Sequence, residues 1–562
     1  MSESSLEFDV VVFGSGAAGL AAALFAAIKG LRVLLCEKAS ALGGTTASSG
    51  GILWIPNSDH AHRAGQTDST DSVREYLRSE LGINYRSDLV EAFIESAPKA
   101  LALLEAQSEA TFNLVPWPDY HPDQPGAALS GRALEPRRYD GRKLGRNFAL
   151  IQAPYKSLLL FGGMQVDKRK VDDLLNPFRS LATFKRVVAT VFRYFVDRLS
   201  YPRGTDIGAG NALVAMLVKS LLDRKIEIWT AAPLVELIAD DGRVSGAVVT
   251  RNGGHRTIKA SRGVVLATGG FPNNQTLQQE FSAGFLPEFS FGFPANTGDG
   301  ILAARKIGAR MDQGLSTSAY WTPGSALTVA NGRREGVLYG YLDRGRPGIV
   351  AVDRHGNRFV NESNSYHDIV LAMWAAGYAE GNFFHFVCDR TFVWHHGLGR
   401  IGPFTWSLRR FLDERYITVA GTPEELAGKI GIDVAGLRET IRKHNAYAHA
   451  GDDPDFGKGS TAYNKMFAHP RAKPNGNLAP IDTPPYVALR IYPAILGTAV
   501  GLDVDADGRV MNSIGKPITG LYACGNDMAS MTRGNYPAGG ITLGPGIAFA
   551  YRIASHAAST HP

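Results

Sequence analysis

The chain has 562 residues, 44% of them hydrophobic and 20% charged, with a formal net charge of +6. This describes a folded protein with room for two or more domains; no run of five Lys/Arg occurs to suggest nucleic acid. Cys36, Cys388 and Cys524 lack CxxC or metal-ligand spacing, no leader-like segment opens the chain and no charge-free run approaches a bilayer span, so a metal-free cytoplasmic protein is expected.

Residues 8–19 read FDVVVFGSGAAG. Apolar Val10–Phe13 predicts a strand running into Gly14, Gly16 and Gly19. LAAALFAAIKG then predicts a helix ending at Gly30, and RVLLCEK a second strand ending at Glu37. In that context each residue has a task. Gly14 makes the turn, Gly16 admits a pyrophosphate and Gly19 lets helix pack on strand, while Glu37 accepts from a ribose hydroxyl. Just past the acid, Gly43, Gly44, Thr45 and Thr46 form a second glycine turn. A nicotinamide-only domain does not need one; flavoproteins run such a segment along the flavin.

Residues 156–201 are apolar and basic. A helix Phe184–Leu199 is predicted, with Val187, Val188, Val191, Phe192, Phe195 and Val196 in one stripe, and Lys185, Arg186, Arg193 and Arg198 among them. It is expected to pack on its own domain, with a membrane-surface or dimer contact as the alternative. Farther on, RGVVLATGGFPNN (262–274) predicts a strand closing on Gly269 and Gly270. NTGDGILAARKIGARMD predicts an N-capped helix, 422–448 a helical pair, and ITGLYACGND (518–527) a strand closing on Gly525. Three glycine-terminated strands so far apart predict one FAD domain assembled from both chain ends.

Taken together, VVFGSGAAGLAAA, EKASALGGTTASSGGILWIPN, NTGDG, GNRFVNES (356–363), GLYACGND and YPAGGITLGP resemble the fumarate reductase and 3-ketosteroid dehydrogenase flavoprotein superfamily over nearly the full chain. The fumarate branch carries a pattern like HGxNRLGG where this chain reads Arg533-Gly-Asn-Tyr-Pro-Ala-Gly-Gly. Tyrosine there, and PDYHPDQPGAALSGRALEP (118–136), resemble the 3-ketosteroid Δ1-dehydrogenase branch. The resemblance implies an α/β fold. A Rossmann-like FAD domain would use residues 1–290 and 487–562, with an inserted α+β catalytic domain at 291–486.

The same resemblance implies non-covalent FAD held by Gly14, Gly16, Ala17, Ala18 and Gly19, by Glu37 and Lys38, and by Gly43, Gly44, Thr45, Thr46, Ser49, Gly50 and Gly51. Later segments add Ala267, Thr268, Gly269, Gly270 and Asp299, then Gly525, Asn526, Gly539, Gly540, Thr542 and Leu543. The implied reaction removes two hydrogens from carbons adjacent to a ring ketone, the α-hydrogen as a proton and the β-hydrogen as a hydride to flavin N5. It needs an electrophile on the ketone oxygen and a base at the α-carbon. Tyr536 and the Gly540 N–H, read as lying at the start of a helix, fit the first role. The family's base is a tyrosine assisted by another, matching Tyr366 and Tyr120, since a lone phenol is a poor base at neutral pH. Tyr139, Tyr320, Tyr339 and Tyr341 are rivals; His121 and His367 are read as outer or surface groups. Trp117, where the family carries a smaller aromatic, would shorten the slot, so a steroid and a smaller cyclohexanone-type ketone both stay open, as does the electron acceptor. An enoate reductase and a non-catalytic flavin protein are the alternatives.

Overall fold

Val10 to Phe13 are apolar without alternation, and such a strand needs cover on both faces. In the computed structural model, which describes residues 6–155, 159–166, 170, 173–174, 176–282, 284–312, 314–329, 332–338 and 343–560, it has that cover: the four side chains are 0–2% exposed. Strand Leu6–Phe13 lies inside an eight-stranded sheet, parallel to Val33–Cys36 on one side and to Gly254–Leu266 on the other. Pro517–Ala523 pairs in parallel with Gly254–Leu266. Phe13 is opposite both Cys36 and Leu266, and Leu266 opposite Ala523. The strands from both chain ends therefore finish along one edge. That carboxyl edge collects Gly14, Glu37, Ala267 and Gly525, as open α/β sheets collect ligand groups.

A seven-stranded sheet forms the second body. Its long strand Tyr486–Thr498 pairs antiparallel with Ala319–Thr328 and Phe384–Asp389. Phe289–Ser290 also joins this sheet. The expected edges at 290 and 487 thus fall within strands of the second sheet, and the chain rejoins the first sheet only beyond Thr498. Sequence motifs mark where glycine turns recur, whereas sheet membership depends on distant partners.

Leu53–Trp54, Ala133–Pro136 and Phe112–Val115 form a three-stranded sheet that shares the core of the first, and the loop carrying Trp117 and Tyr120 joins Phe112–Val115 to Ala133–Pro136. The 422–448 pair folds as Pro423–Ile430 and Val434–Ala450, capped by the side chains of Thr422 and Asp433. The helix after NTG, Asp299–Lys306, is capped by Gly298 with no side-chain bond, so the expected cap is backbone only.

Helix Leu181–Asp197 departs from expectation. Capped by Ser180, it begins at Leu181, three residues before the predicted start, and its buried residues are Thr183, Tyr194 and Asp197. The apolar stripe faces outward, with Phe192 68% exposed. Polar anchors, not apolar burial, hold it: Asp197 accepts from the Thr205 N–H at 2.8 Å and pairs with Arg142 at 2.6 Å, while the Tyr194 hydroxyl donates to the Phe161 carbonyl at 2.7 Å.

Candidate active site

The first glycine turn is built by backbone proximity. A Cβ on Gly14 would sit 2.1 Å from the Ala267 carbonyl oxygen, and one on Gly19 2.0 Å from the Gly14 oxygen. Gly16 differs: it caps helix Ala17–Ile28, and a Cβ there meets only the Thr46 hydroxyl at 3.6 Å. The space in front of Gly16 thus lies at a helix N-terminus, where phosphate is favoured. Glu37 is buried and accepts from the Ser15 N–H at 2.9 Å, from the Ser15 hydroxyl and from the Ala39 N–H. The second turn joins the first through the Ala17 N–H, which donates to Thr46 Oγ1 at 3.0 Å. Thr45 accepts from Asn296 at 3.1 Å, and Lys38 pairs with Asp299 at 2.7 Å. Ser49 accepts from the Gly51 N–H, and Gly51 packs against Gly210 so closely that a Cβ would lie 2.5 Å from its nitrogen.

Asp527 closes the set. Buried, it accepts from the Thr268 N–H at 2.6 Å and the Gly270 N–H at 2.9 Å, tying LATGG to ACGND. Burial raises its carboxyl pKa. A cleft of about 320 Å³ empty volume opens between Gly525–Met531 and the turn at Ile541–Gly546, with Tyr320, Thr498 and Asn526 on its wall.

Three tyrosines meet beside this turn. The Tyr120 hydroxyl donates to the Tyr366 oxygen at 3.2 Å. The ring of Tyr120 stacks on Tyr536 with centroids 5.6 Å apart, and Tyr366 meets Tyr536 edge-on at 5.2 Å. Separate devices position each. The Pro537 carbonyl accepts from the Tyr120 N–H at 2.7 Å and from the Tyr76 hydroxyl at 2.6 Å, fixing the turn to the loop. Asp119, just before Tyr120, is clamped by Trp54 at 2.9 Å and Arg132 at 2.8 Å. Tyr366 opens helix Tyr366–Ala375, whose cap is Ser365.

Helix Leu543–Ser559 begins later than expected, so Gly540 stands three residues before it rather than in its first turn. Its φ of +95° requires glycine, and a Cβ would lie 2.6 Å from the Trp54 nitrogen. Leu543 is the first helical residue and Thr542 its cap. Trp117 leans over Gly539, with ring carbons 3.5 and 3.6 Å from where a Cβ would be.

Burial, reinforced by the neighbouring phenols, pushes Tyr366 well above the usual tyrosine pKa, and burial raises Tyr536 too. The buried Arg344 guanidinium lies 5.7 Å over the Tyr366 ring as a nearby positive charge. Burial alone would lower His121, but the Asp368 and Glu80 carboxylates, at 3.0 and 2.8 Å, outweigh it and hold it up at about 10. His121 is thus held between two carboxylates, with its side chain 32% exposed. His367 is buried, accepts from the Trp321 N–H at 3.1 Å and is lowered to about 4 by desolvation, hence neutral.

Among the rivals, Tyr139 bonds to Glu109 at 3.2 Å, away from the cluster. Tyr320 meets Tyr536 edge-on at 5.4 Å, but its hydroxyl is spent on Ser530 at 2.6 Å. Tyr339 and Tyr341 lie outside the described residues. Sequence reasoning missed Asp527, Asn296, Tyr463, which packs 4.7 Å from Tyr120, and Arg344. Only Asp527 left a signal, an acid two residues past the expected Gly525. Among the described residues no group of three His, Cys, Asp or Glu is placed to hold a metal.

The FAD binding domain family model matches residues 9–543. The chain belongs to this FAD-binding family. The donor set fits the cofactor: an open helix N-terminus at Gly16, an acid ending the second strand and a cleft at the carboxyl edge of the sheet. This flavoprotein is 38% identical, over 97% of its length and 92% of the relative's, to the 4-oxocyclohex-2-ene-1-carboxylate 5-dehydrogenase of Sinomonas cyclohexanicum. It is 34% identical to a 3-oxosteroid 1-dehydrogenase of Mycobacterium tuberculosis, over 98% of each. The crystal structure of 3-ketosteroid Δ1-dehydrogenase from Sterolibacterium denitrificans in complex with 1,4-androstadiene-3,17-dione superposes with a TM-score of 0.89, at 34% identity over 99% of this chain and 100% of that one. The superfamily resemblance read from the motifs holds.

Proposed function

We propose that this flavoprotein introduces a C=C bond next to the carbonyl of a cyclic ketone. The observation that carries this reading is the convergence of the Tyr120, Tyr366 and Tyr536 hydroxyls beside the Gly539–Gly540 turn. Tyr536 and the Gly540 N–H donate to the ketone oxygen and stabilise the charge that develops as the α-proton leaves. Tyr366, as phenolate, takes that proton. The Tyr120 hydroxyl, which donates to the Tyr366 oxygen at 3.2 Å, assists as the second tyrosine by holding that oxygen in place. FAD, held non-covalently when bound, supplies the acceptor for the β-hydride. Turnover also needs an external electron acceptor.

Trp117 covers part of the space before Gly539, which favours a single-ring ketone of the cyclohexanone type. The steroid-bound relative with its TM-score of 0.89 supports the second reading, a 3-ketosteroid. We place the enzyme in the cytoplasm, in keeping with three buried, unpaired cysteines.

The test is anaerobic bleaching of the bound flavin by a panel of substituted cyclohexanones and androstenedione-type steroids. Faster bleaching by the cyclohexanones supports the first reading, and faster bleaching by the steroids the second. If no ketone bleaches the flavin while fumarate is turned over with a reduced dye, the desaturase reading fails in favour of an enoate reductase.

A further inference from the structure

Helix Tyr366–Ala375 packs Ile369, Val370 and Met373 into the core of the seven-stranded sheet. The Tyr120 loop belongs to the other body. Phe112 and Leu134 on its flanking strands, and Val73, Tyr76 and Leu77 on helix Thr70–Leu81, bury in the core of the eight-stranded sheet. Tyr120 and Tyr366 therefore reach their 3.2 Å contact from two separately packed bodies, and packing within neither core sets that distance. A second contact crosses at the same place. His121, next to Tyr120, puts Nε2 3.0 Å from Asp368, two residues past Tyr366. Its Nδ1 lies 2.8 and 2.9 Å from the two oxygens of Glu80 on helix Thr70–Leu81. Both ring nitrogens thus face a carboxylate. A neutral imidazole would turn a lone pair towards one of them, so the geometry calls for the imidazolium, with both N–H groups donating.

We infer that His121 is a positioning residue for the desaturation: by joining Glu80 to Asp368 it sets the contact between the Tyr120 and Tyr366 hydroxyls. This role rests on the reading of Tyr366 as the base and Tyr120 as its assistant. Helix Thr70–Leu81 is the common anchor. Its Tyr76 hydroxyl donates to the Pro537 carbonyl at 2.6 Å, and the Tyr120 N–H donates to the same oxygen at 2.7 Å. Those two bonds refer the Tyr536 turn and the Tyr120 loop to one helix. Glu80, one turn further on with its side chain 6% exposed, does the same for the Tyr366 helix through His121. Three tyrosines from three segments are thus located against a single element, as an oriented site requires. Without the imidazolium, Glu80 and Asp368 remain as two carboxylates facing one another, and their repulsion drives the loop and the helix apart.

Crystal structures of the FAD-loaded, ketone-free wild type and H121N, with kinetics on a ketone that the wild type desaturates, test this. Asparagine keeps a donor near Glu80 but cannot reach Asp368. In H121N the two hydroxyls should separate beyond hydrogen-bond reach, with the flavin spectrum unchanged. Its kcat should fall about 10- to 100-fold with KM within about twofold, since orientation rather than binding is lost. D368A severs the tie from the other side and should give the same loss, and H121N/D368A no more than either alone. In His121→Gly, added imidazole should restore much of kcat, which a merely unfolded variant would not allow. A Tyr120–Tyr366 contact that stays at 3.2 Å in H121N overturns the inference. So does a double variant whose losses multiply. If the wild type desaturates no ketone, the function proposed above fails, and the hydroxyl separation in H121N still decides the role of His121.

Discussion

Tyr536 is held by rings from three separate segments: Tyr120, Tyr320 and Tyr366. Such a phenol is placed to one geometry, which a hydrogen-bond donor to a reacting oxygen needs. Tyr536→Phe should lower kcat about 100-fold or more with FAD still bound, the typical loss of one oxyanion donor; unchanged kinetics would remove it from that role. Tyr366 carries a different expectation. Burial keeps its phenol protonated at neutral pH, so the phenolate proposed to take the α-proton is a minor form whose population rises with pH. Exchange of the substrate α-proton with deuterated water should accelerate about tenfold per pH unit from pH 6 to 8, and Tyr366→Phe should abolish it. A flat profile, or exchange that survives the substitution, points to another base.

At the scale of elements, the glycines of the first turn separate into two kinds. Gly19 is needed by the protein, because a Cβ would overlap the Gly14 carbonyl. Gly16 has open space before it. Gly19→Ala should therefore reduce soluble yield and Tm, whereas Gly16→Val should give folded but colourless protein, which circular dichroism and the flavin absorbance distinguish. If both variants lose only colour, Gly19 is a ligand position as well. Gly540→Ala adds a Cβ at positive φ against the Trp54 backbone, a strain of about 1–3 kcal/mol. It should lower Tm and activity together, unlike Tyr536→Phe, which should lower activity alone.

The whole molecule is held in its second body by a buried charge cluster. Arg358 bridges Glu362 and Asp453, each at 2.9 Å, and Lys458 lies 3.2 Å from Glu362. Burial alone would raise Glu362, but Arg358 and Lys458 override it and bring its carboxyl down to about 2 from 4.5. A depressed carboxylate contributes stability that is complete above 4.5 and lost as pH falls towards 2. His121, raised from 6.5 to about 10, contributes the opposite way: its stabilisation is complete below 6.5 and fades towards 10. Tm should therefore be highest between about pH 4.5 and 6.5 from these two groups. Glu362→Gln should flatten the acid limb and cost about 3–5 kcal/mol by stripping a buried cation of its partner. An acid limb unchanged in that variant would assign it to other carboxylates.

The sequence by itself determined the cofactor class and the opening strand-turn-helix, and a family resemblance singled out the three tyrosines that the structure brings together. Those features depend on what one backbone segment must do, a demand visible in spacing or shared with a superfamily. Tertiary structure alone decided that Asp527 joins two distant glycine turns, that Tyr320 gives its hydroxyl to Ser530 and that strand Tyr486–Thr498 belongs to the second sheet. It also decided that helix Leu181–Asp197 turns its apolar stripe to solvent and that Gly540 precedes its helix. Periodicity says that a helix has an apolar face. Which way that face points depends on the polar anchors, Asp197 to Thr205 and Tyr194 to Phe161, that it finds elsewhere in the chain.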